Sequence, residues 1–172
     1  KMTKKKFDKE SFIEEFKILR KSMLENHKRH VSLQDLFTDR WETAKFYNFG
    51  EGSSCYNNVL IIGDVSVGSN TWIGPNVILD GSGGLEIGDF CSISAGVQIY
   101  SHDTVKYSNS MGQEPAEKES TFIGNGVYIG PNSIIQKGVV VGDRSIIGAM
   151  SFVNKNVPED AKFFGSPAQQ TS

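Results

Sequence analysis

An aliphatic residue returns at every sixth position through most of this chain, and this spacing constrains the fold more than any other feature. The thirteen positions are Ile61, Val67, Ile73, Leu79, Ile87, Ile93, Ile99, Ile123, Ile129, Ile135, Val141, Ile147 and Val153, with two interruptions of the period. An α-helix repeats about every 3.6 residues and a strand every two, so a sustained period of six predicts a solenoid of short strands joined by tight corners.

Small and turn-forming residues recur at fixed places between the aliphatic positions. Gly follows the aliphatic residue in seven of the thirteen cases, and Asn or Gly often lies three positions after it. Both tolerate positive φ, which a chain that turns a corner every few residues needs repeatedly. The fourth position is small or β-branched, as at Thr71, Cys91 and Ser133, and is expected to point inward. The pattern is typical of a parallel β-helix, in which each coil buries its aliphatic residue against the next.

The two interruptions of the period indicate where functional residues lie. Two extra residues fall between Leu79 and Ile87, within the stretch 80–84, and Ile99 and Ile123 stand 24 positions apart. The second gap predicts a loop over residues 101–120 that extends from the coils. A long loop on a rigid scaffold commonly carries binding or catalytic residues.

The N-terminal part is predicted to be helical. Apolar residues at helical spacing indicate an amphipathic helix from about Lys6 to His27, and Ser32 followed by Asp35 predicts the start of a second helix that continues through Trp41. These helices are expected to cap the open end of the solenoid, whose strand edges would otherwise be exposed. We therefore predict a helical segment over residues 1–45 and a β-helix domain over residues 46–172.

Composition excludes several classes of protein. Residues 1–30 carry ten Lys or Arg against five acids, and the remainder carries eight against fifteen. The basic segment lacks interleaved aromatic residues, so a solvated helix face is favoured over nucleic-acid binding. No apolar run approaches the roughly 20 residues of a membrane span. Cys91 occupies an inward position and Cys55 precedes the coils, so neither is expected to be a nucleophile. A cytoplasmic protein without membrane insertion is predicted.

Among the three histidines, His102 is the candidate for chemistry. His27 and His30 are spaced i, i+3 at the end of the predicted first helix, but no third ligand for a metal is indicated nearby, and we predict no metal site. His102 lies at the junction of coil and loop, where the scaffold fixes its backbone. An imidazole, with an ordinary pKa of about 6.5, is suited to removing a proton from a hydroxyl or amine, although a hydrogen-bonding loop histidine is the alternative.

The repeats resemble those of the hexapeptide-repeat acyltransferases over roughly residues 57–168. The strongest stretch is Ile123 to Ala168, and its ending, Gly165-Ser166-Pro167-Ala168, is similar to the closing Gly-Asn-Pro-Ala signature of the family. The resemblance implies a left-handed parallel β-helix, an all-β solenoid, with acetyl-CoA as acyl donor. Within the family, the branch with a His on an extended loop resembles the sugar and antibiotic O-acetyltransferases, including those of surface-polysaccharide biosynthesis. The loop of this chain, with His102 at its start, resembles that branch.

The resemblance also implies roles for individual residues. His102 would be the general base for transfer of an acetyl group to a hydroxyl or amino group of a sugar or sugar nucleotide. Asp80 is the candidate to orient His102 or bind the acceptor, with a polar turn as the alternative, and Asp103 could act similarly. Sites of this family lie between subunits, so a homotrimer is implied.

The CoA-contacting positions of the family fall on five residues here: Tyr128, Pro131, Ala149, Asn154 and Lys155. Lys155 is expected to meet a phosphate, and Ala149 could instead serve packing alone. Where the family often has Lys or Arg after its closing signature, this chain has Gln169, so a second cationic contact to CoA is not expected.

Three other functions compete with an acetyltransferase. A solenoid carbonic anhydrase would need three zinc-ligating histidines, and only His102 lies by the coils. A sugar-nucleotide pyrophosphorylase would need a preceding nucleotide-binding domain. A non-catalytic β-solenoid scaffold remains the alternative, and it predicts a loop without a base. The acceptor, the acylated atom and the length of the acyl group are encoded in no motif of the chain.

Overall fold

The computed structural model describes residues 8–171. These residues fall into two compact units that divide between Asp39 and Arg40. The sequence predicted the boundary after residue 45. The structure instead groups the helix that begins at Arg40 with the coils. Among the described residues, no helix is both long and apolar enough to cross a membrane.

The first unit contains helices α1 (Lys9–His27) and α2 (Leu33–Phe37). The Asp8 carboxylate caps α1 by accepting hydrogen bonds from the Glu10 and Ser11 amides, and Lys28 ends the helix in the left-handed conformation. The first part of the predicted helix, residues 6 and 7, lies outside the described residues. Phe12 of α1 stacks on Phe37 of α2, with ring centroids 6.0 Å apart.

The second predicted helix is divided into two. Ser32 caps α2 as expected, but α2 ends at Phe37, and α3 (Arg40–Phe46) begins a new helix. Thr38 takes the extended conformation, with φ −131° and ψ 132°, which interrupts the helical backbone. The prediction of one helix through Trp41 was therefore wrong. Helix α3 buries Thr43 and Ala44 and packs against the first coil.

The remainder of the second unit is a left-handed parallel β-helix of about six turns, as predicted. Its strands form three parallel ladders, which we call the first, second and third faces. The first face contains β1 (Ser54–Cys55), β3 (Trp72–Ile73), β5 (Ser92–Ile93), β10 (Tyr128–Ile129), β13 (Ile146–Ile147) and β15 (Lys162–Gly165). The second face contains the first halves of β2 (Leu60–Val67) and β4 (Ile78–Ile87), followed by β6 (Gln98–Ile99), β11 (Ile134–Ile135) and β14 (Phe152–Val153).

The third face contains the second halves of β2 and β4, followed by β9 (Thr121–Ile123) and β12 (Val140–Val141). Strand β16 (Ala168–Thr171) folds back antiparallel on β15 and ends the solenoid. The long loop between Ile99 and Ile123 contains its own elements: β7 (His102–Asp103), α4 (Val105–Asn109) and β8 (Glu117–Lys118), with β7 and β8 paired antiparallel.

The core lies along the axis of the solenoid, as the repeat predicted. All thirteen aliphatic positions face it; twelve are buried and Ile61 is partly buried. The small residues four positions later are buried as well, and their hydroxyls link adjacent coils. Ser133 Oγ donates to the Gly148 carbonyl at 2.8 Å, and Thr71 Oγ1 donates to that of Gly88 at 2.7 Å. These hydrogen bonds satisfy polar groups that the close stacking of coils removes from water.

The turn residues have two different roles, of which the sequence anticipated one. Asn70 and Gly138, for example, adopt positive φ at corners, as predicted. The seven glycines directly after the aliphatic positions do not adopt positive φ, contrary to expectation. They are required by close approach of the next coil: a Cβ at Gly130 would lie 2.5 Å from the Ala149 nitrogen.

Cys55 belongs to the coils, and the prediction that it precedes them was wrong. It pairs with Ile73 in the first ladder and is fully buried, so it takes the aliphatic position of the first coil. The sequence missed this coil because its inward residue is a thiol. Cys91 is buried as predicted, and its Sγ lies 3.0 Å from the Gly124 carbonyl oxygen. Burial raises the pKa of the Cys91 thiol, which keeps it protonated and unreactive.

Candidate active site

The long loop leaves and rejoins the solenoid at Ser101, a fully buried residue. Its carbonyl accepts from the Glu119 amide at 2.9 Å, which closes the loop, and its Oγ accepts from the Gly83 amide at 2.8 Å. A Cβ at Gly83 would lie 2.3 Å from the Ser101 carbonyl oxygen, so only Gly allows this approach. The two interruptions of the six-residue period therefore meet at one corner of the solenoid.

Asp80 lies directly beneath this corner, with its carboxylate fully buried. Its Oδ2 accepts from the backbone amides of Ser101 and His102 at 3.0 and 3.2 Å. Its Oδ1 accepts from the Ser82 hydroxyl at 2.6 Å and the Ser82 amide at 3.1 Å. Burial raises the pKa of Asp80, but the hydrogen bonds from Ser82, His102 and Ser101 outweigh it and lower the pKa to about 2. Asp80 is therefore ionised at neutral pH.

The ring of His102 is fixed by the same carboxylate. Its Nδ1 lies 2.5 Å from Asp80 Oδ2, while its side chain remains 29% exposed. Because an ionised carboxylate only accepts hydrogen bonds, Nδ1 is the nitrogen that donates to Asp80, and Nε2 is the ring nitrogen left for an acceptor. Asp80, the candidate predicted to orient His102, contacts the ring from strand β4 and also accepts from Ser82 two residues later.

Asp103, the other candidate for orienting His102, makes different contacts. Its Oδ1 accepts from the Val105 amide at 3.0 Å at the start of α4, and its Oδ2 lies 3.4 Å from Lys137 Nζ. The hydrogen bond from Val105, followed by the interaction with Lys137, lowers the pKa of Asp103. The contacts of Asp103 therefore stabilise the conformation of the loop and its attachment to the coils.

A cavity of about 450 Å³ opens beside His102 on the outside of the second face. Three successive coils supply its wall, with Tyr100, Ile134 and Phe152 as the large side chains and Gln136 as a polar neighbour. The loop supplies the other side from His102 to Val105, and Lys137 completes the lining. The cavity thus has an apolar wall on one side and the His102 imidazole on the other, and it is large enough for a small-molecule ligand.

The five predicted CoA-contacting residues lie at separate places on the solenoid. Pro131 and Ala149 lie at the corner where the chain enters the second face, and the Pro131 carbonyl accepts from Met150, which follows Ala149, at 2.9 Å. Asn154 and Lys155 lie at the corner where the chain leaves that face. These four residues therefore flank both edges of the face that carries the cavity, which suits an extended ligand crossing it.

Tyr128 differs from the other four because it lies on the first face, where it is 42% exposed. Ala149, Asn154 and Lys155 are also exposed, so packing alone does not account for Ala149. Lys155 Nζ donates to Gln169 Oε1 at 2.8 Å. Gln169, the departure from the closing signature, thus contacts the one cation expected to meet a phosphate.

The other two histidines lie far from this chemistry in sequence. His27 is in the last turn of α1, and His30 lines a small recess of the first unit together with Arg20 and Arg29. Within residues 8–171, no cluster of three or more His, Cys, Asp or Glu side chains is arranged to hold a metal.

Family models match the coils on both sides of the loop. Residues 64–101 match the hexapeptide repeat of succinyl-transferase, and residues 120–155 match the bacterial transferase hexapeptide of six repeats. The structure superposes on the hexapeptide-repeat acetyltransferase VCA0836 of Vibrio cholerae O1 biovar eltor, solved with acetyl coenzyme A. That superposition has a TM-score of 0.70 at 23% identity, and covers 96% of this chain and 91% of that one.

The chain is also similar in sequence to curated bacterial proteins. The carnitine operon protein CaiE of Proteus sp. (strain LE138) is 32% identical over 118 residues, which cover 65% of this chain and 60% of that protein. The galactoside O-acetyltransferase of Escherichia coli (strain K12) is 28% identical over 158 residues, covering 84% and 68%. The chain thus spans 60% of the length of the first curated relatives that it matches.

The coils and the repeat together define a hexapeptide-repeat protein of the left-handed β-helix class. The chain is similar to hexapeptide-repeat acyltransferases, as its sequence predicted, and both matches fall on its coils.

Proposed function

We propose that this protein is a CoA-dependent acetyltransferase that acts on a hydroxyl or amino group of a sugar or sugar nucleotide. The observation that carries the proposal is the pairing of His102 with the buried Asp80 at the edge of a cavity on the second face. A scaffold has no need for an ionised carboxylate that fixes the tautomer of an accessible imidazole. Perturbed titratable groups of this kind concentrate at catalytic sites.

His102 acts as the general base in this proposal. Its Nε2 takes the proton from the acceptor hydroxyl or amine as the acceptor atom bonds to the acetyl carbonyl carbon. The imidazolium then gives that proton to the departing sulfur as the carbon–sulfur bond breaks. Acetyl-CoA, when bound, supplies the activated thioester. Asp80 keeps Nδ1 protonated throughout and stabilises the positive charge that develops on the ring.

The cavity beside His102 is the proposed acceptor site. Tyr100, Ile134 and Phe152 present apolar surface, and Gln136 adds an amide at its edge. A sugar ring has an apolar face and a rim of hydroxyls, so it suits a wall of this composition. The similarity to a galactoside O-acetyltransferase supports a sugar acceptor.

The predicted donor site follows from the residues around the same face. Pro131, Ala149, Asn154 and Lys155 flank it, and Lys155 is the cation available to a phosphate. The hexapeptide-repeat acetyltransferase with acetyl coenzyme A bound supports an acyl-CoA donor on this fold. Tyr128 lies on the first face and would reach the donor only if that face borders the site of another subunit.

A homotrimer is part of the proposal. The first face carries large exposed apolar side chains, among them Trp72, Tyr128 and Ile146, and an exposed apolar stripe of this kind is typical of a subunit contact. Assembly through this face would bring Tyr128 to a boundary between subunits. A cytoplasmic role in surface-polysaccharide biosynthesis is the expected setting.

Thiol release tests the proposal directly. Purified protein with acetyl-CoA would be assayed against a panel of free glycosides, amino sugars and sugar nucleotides, and at least one class is expected to accelerate release of free CoA. Acetyl-CoA at 100 times its dissociation constant should also stabilise the fold by about 2.7 kcal/mol. Failure of acetyl-CoA both to bind and to raise the melting temperature would favour a non-catalytic scaffold.

A further inference from the structure

Lys137 is a largely buried cation at the corner that follows β11, next to the base of the long loop. Its side chain is 13% exposed. Three carboxylates surround its Nζ: Asp103 Oδ2 at 3.4 Å, Glu117 Oε2 at 3.7 Å and Glu119 Oε2 at 4.0 Å. All three belong to the loop, at its first strand, at its return strand and at its closing end. One cation on the scaffold thus meets the loop at three points.

Gly138, the residue after Lys137, turns the corner with a φ of +74° and lies against the Glu119 carboxylate. Gly138 has no side chain, and a Cβ there would lie 2.5 Å from both carboxylate oxygens of Glu119. The Gly138 amide donates to Thr121 Oγ1 at 3.1 Å, which holds this corner against the strand that follows the loop. Lys137 and Gly138 therefore both contact Glu119, at the closing end of the loop, from the rigid coils.

The loop strands that Lys137 holds are the ones that carry His102. Strand β7 pairs with β8 so that His102 lies opposite Lys118 and Asp103 lies opposite Glu117. Lys137 contacts both members of the second pair. Asp80 contacts the His102 imidazole from the coils, and Lys137 forms an ion pair with Asp103, the residue after His102.

Lys106 offers a contrast on the opposite side of Glu117. Its Nζ lies 2.7 Å from Glu117 Oε1, but its side chain is 55% exposed and itself belongs to the loop. An exposed ion pair contributes little because water and salt screen it. Removing Lys106 leaves the loop attached to the coils, whereas removing Lys137 leaves three neighbouring carboxylates without their shared cation.

We propose that Lys137 is a positioning residue that holds the loop, and with it His102, in the arrangement required for acetyl transfer. The proposal rests on the proposed function for its kinetic consequence, but its structural consequence is measurable without activity. The role is distinct from acceptor binding, although Lys137 also lines the cavity.

Three variants test it: Lys137→Met, Lys137→Arg and, as the matched control, Lys106→Met. Lys137→Met is expected to lower kcat at least tenfold while the KM for both substrates stays within about twofold, since ground-state binding is retained. Amide hydrogen exchange over residues 103–118 should become faster, with the coils unchanged. Lys137→Arg should recover kcat to within about threefold of wild type, and Lys106→Met should match wild type.

Two results would overturn the proposal. One is wild-type kcat together with wild-type exchange of the loop in Lys137→Met. The other is a raised acceptor KM at unchanged kcat, which would make Lys137 a binding residue. If Lys137→Met does not fold, the Asp103→Asn/Glu117→Gln double variant removes the contacts from the loop side, and the same loss of kcat and faster exchange are expected. If no acceptor is turned over by the wild type, the exchange result alone decides, so the two proposals fail separately.

Discussion

Asp80 Oδ2 lies 2.5 Å from His102 Nδ1, although the two residues are separated by 22 positions of sequence. The coil register explains their proximity, since β4 and β6 are neighbours and place Leu79 beside Ile99. The same oxygen also accepts the backbone amides of Ser101 and His102. One buried carboxylate therefore anchors the root of the loop and orients the ring at its edge.

Asp80→Asn should separate orientation from binding. An amide can donate to Nδ1, which allows the opposite tautomer and protonates the nitrogen that faces the acceptor. We expect kcat to fall by about two to four orders of magnitude, as when an orienting carboxylate is lost from a catalytic His pair. Acetyl-CoA affinity, measured by calorimetry, should change less than about threefold. Asp64→Asn, an exposed acid of the preceding coil, is the control, and an equal loss there would contradict the assignment.

Stability at acid pH should report the same carboxylate. The pKa of Asp80 is lowered from 3.8 to about 2 in the folded protein, so the unfolded chain binds its proton more readily. Asp80 therefore contributes stability that is complete above about pH 4 and is lost as the pH falls through about 2, worth about 2 kcal/mol. The free energy of unfolding of wild type and of Asp80→Asn would be measured in urea between about pH 2 and about pH 6. The difference between the two proteins should shrink as the pH falls. A constant difference would place the pKa of Asp80 near its ordinary value.

Phe152→Ala should weaken acceptor binding. Phe152 supplies aromatic surface to the cavity from β14, and its loss should raise the acceptor KM by about 5 to 30 fold, equivalent to about 1 to 2 kcal/mol. Steady-state kinetics with acetyl-CoA saturating would measure it. Phe122→Ala, an exposed aromatic residue of the third face, is the control. Equal effects from both variants would argue against an acceptor site on the second face.

Ile135→Ala should test the stacked core. Ile135 is fully buried between Ile99 and Val153, so its truncation leaves a cavity that the rigid coils cannot close. We expect a loss of about 2 to 5 kcal/mol in the free energy of unfolding. Ile62→Ala, an exposed position of the same face, should cost less than about 1 kcal/mol. Chemical denaturation distinguishes the two, and similar losses would contradict a core confined to the inward positions.

The six-residue period predicted the coils well because each inward position is read directly from the sequence. The buried aliphatic residues and the positive φ values at Asn70 and Gly138 were both confirmed. The period failed at Cys55, whose thiol replaces an aliphatic residue. The break between α2 and α3 was also missed, because it depends on the backbone of Thr38 and not on apolar spacing.

The site was less predictable because it depends on which coils become neighbours. The sequence named His102 and Asp80, but their contact follows from the register of β4 and β6. Lys137 was missed, since its role arises from three loop carboxylates that only the fold brings to it. The internal strands of the loop were missed for the same reason: residues 102–118 lack an alternating pattern, and the pairing is held by tertiary contacts.

Turnover of the His102→Ala variant tests the central claim most directly. With an acceptor identified by thiol release, kcat should fall by about two to four orders of magnitude through loss of the base, while the dissociation constant for acetyl-CoA stays nearly unchanged. His27→Ala, in the last turn of α1, should behave as wild type. Wild-type turnover in His102→Ala would contradict the account.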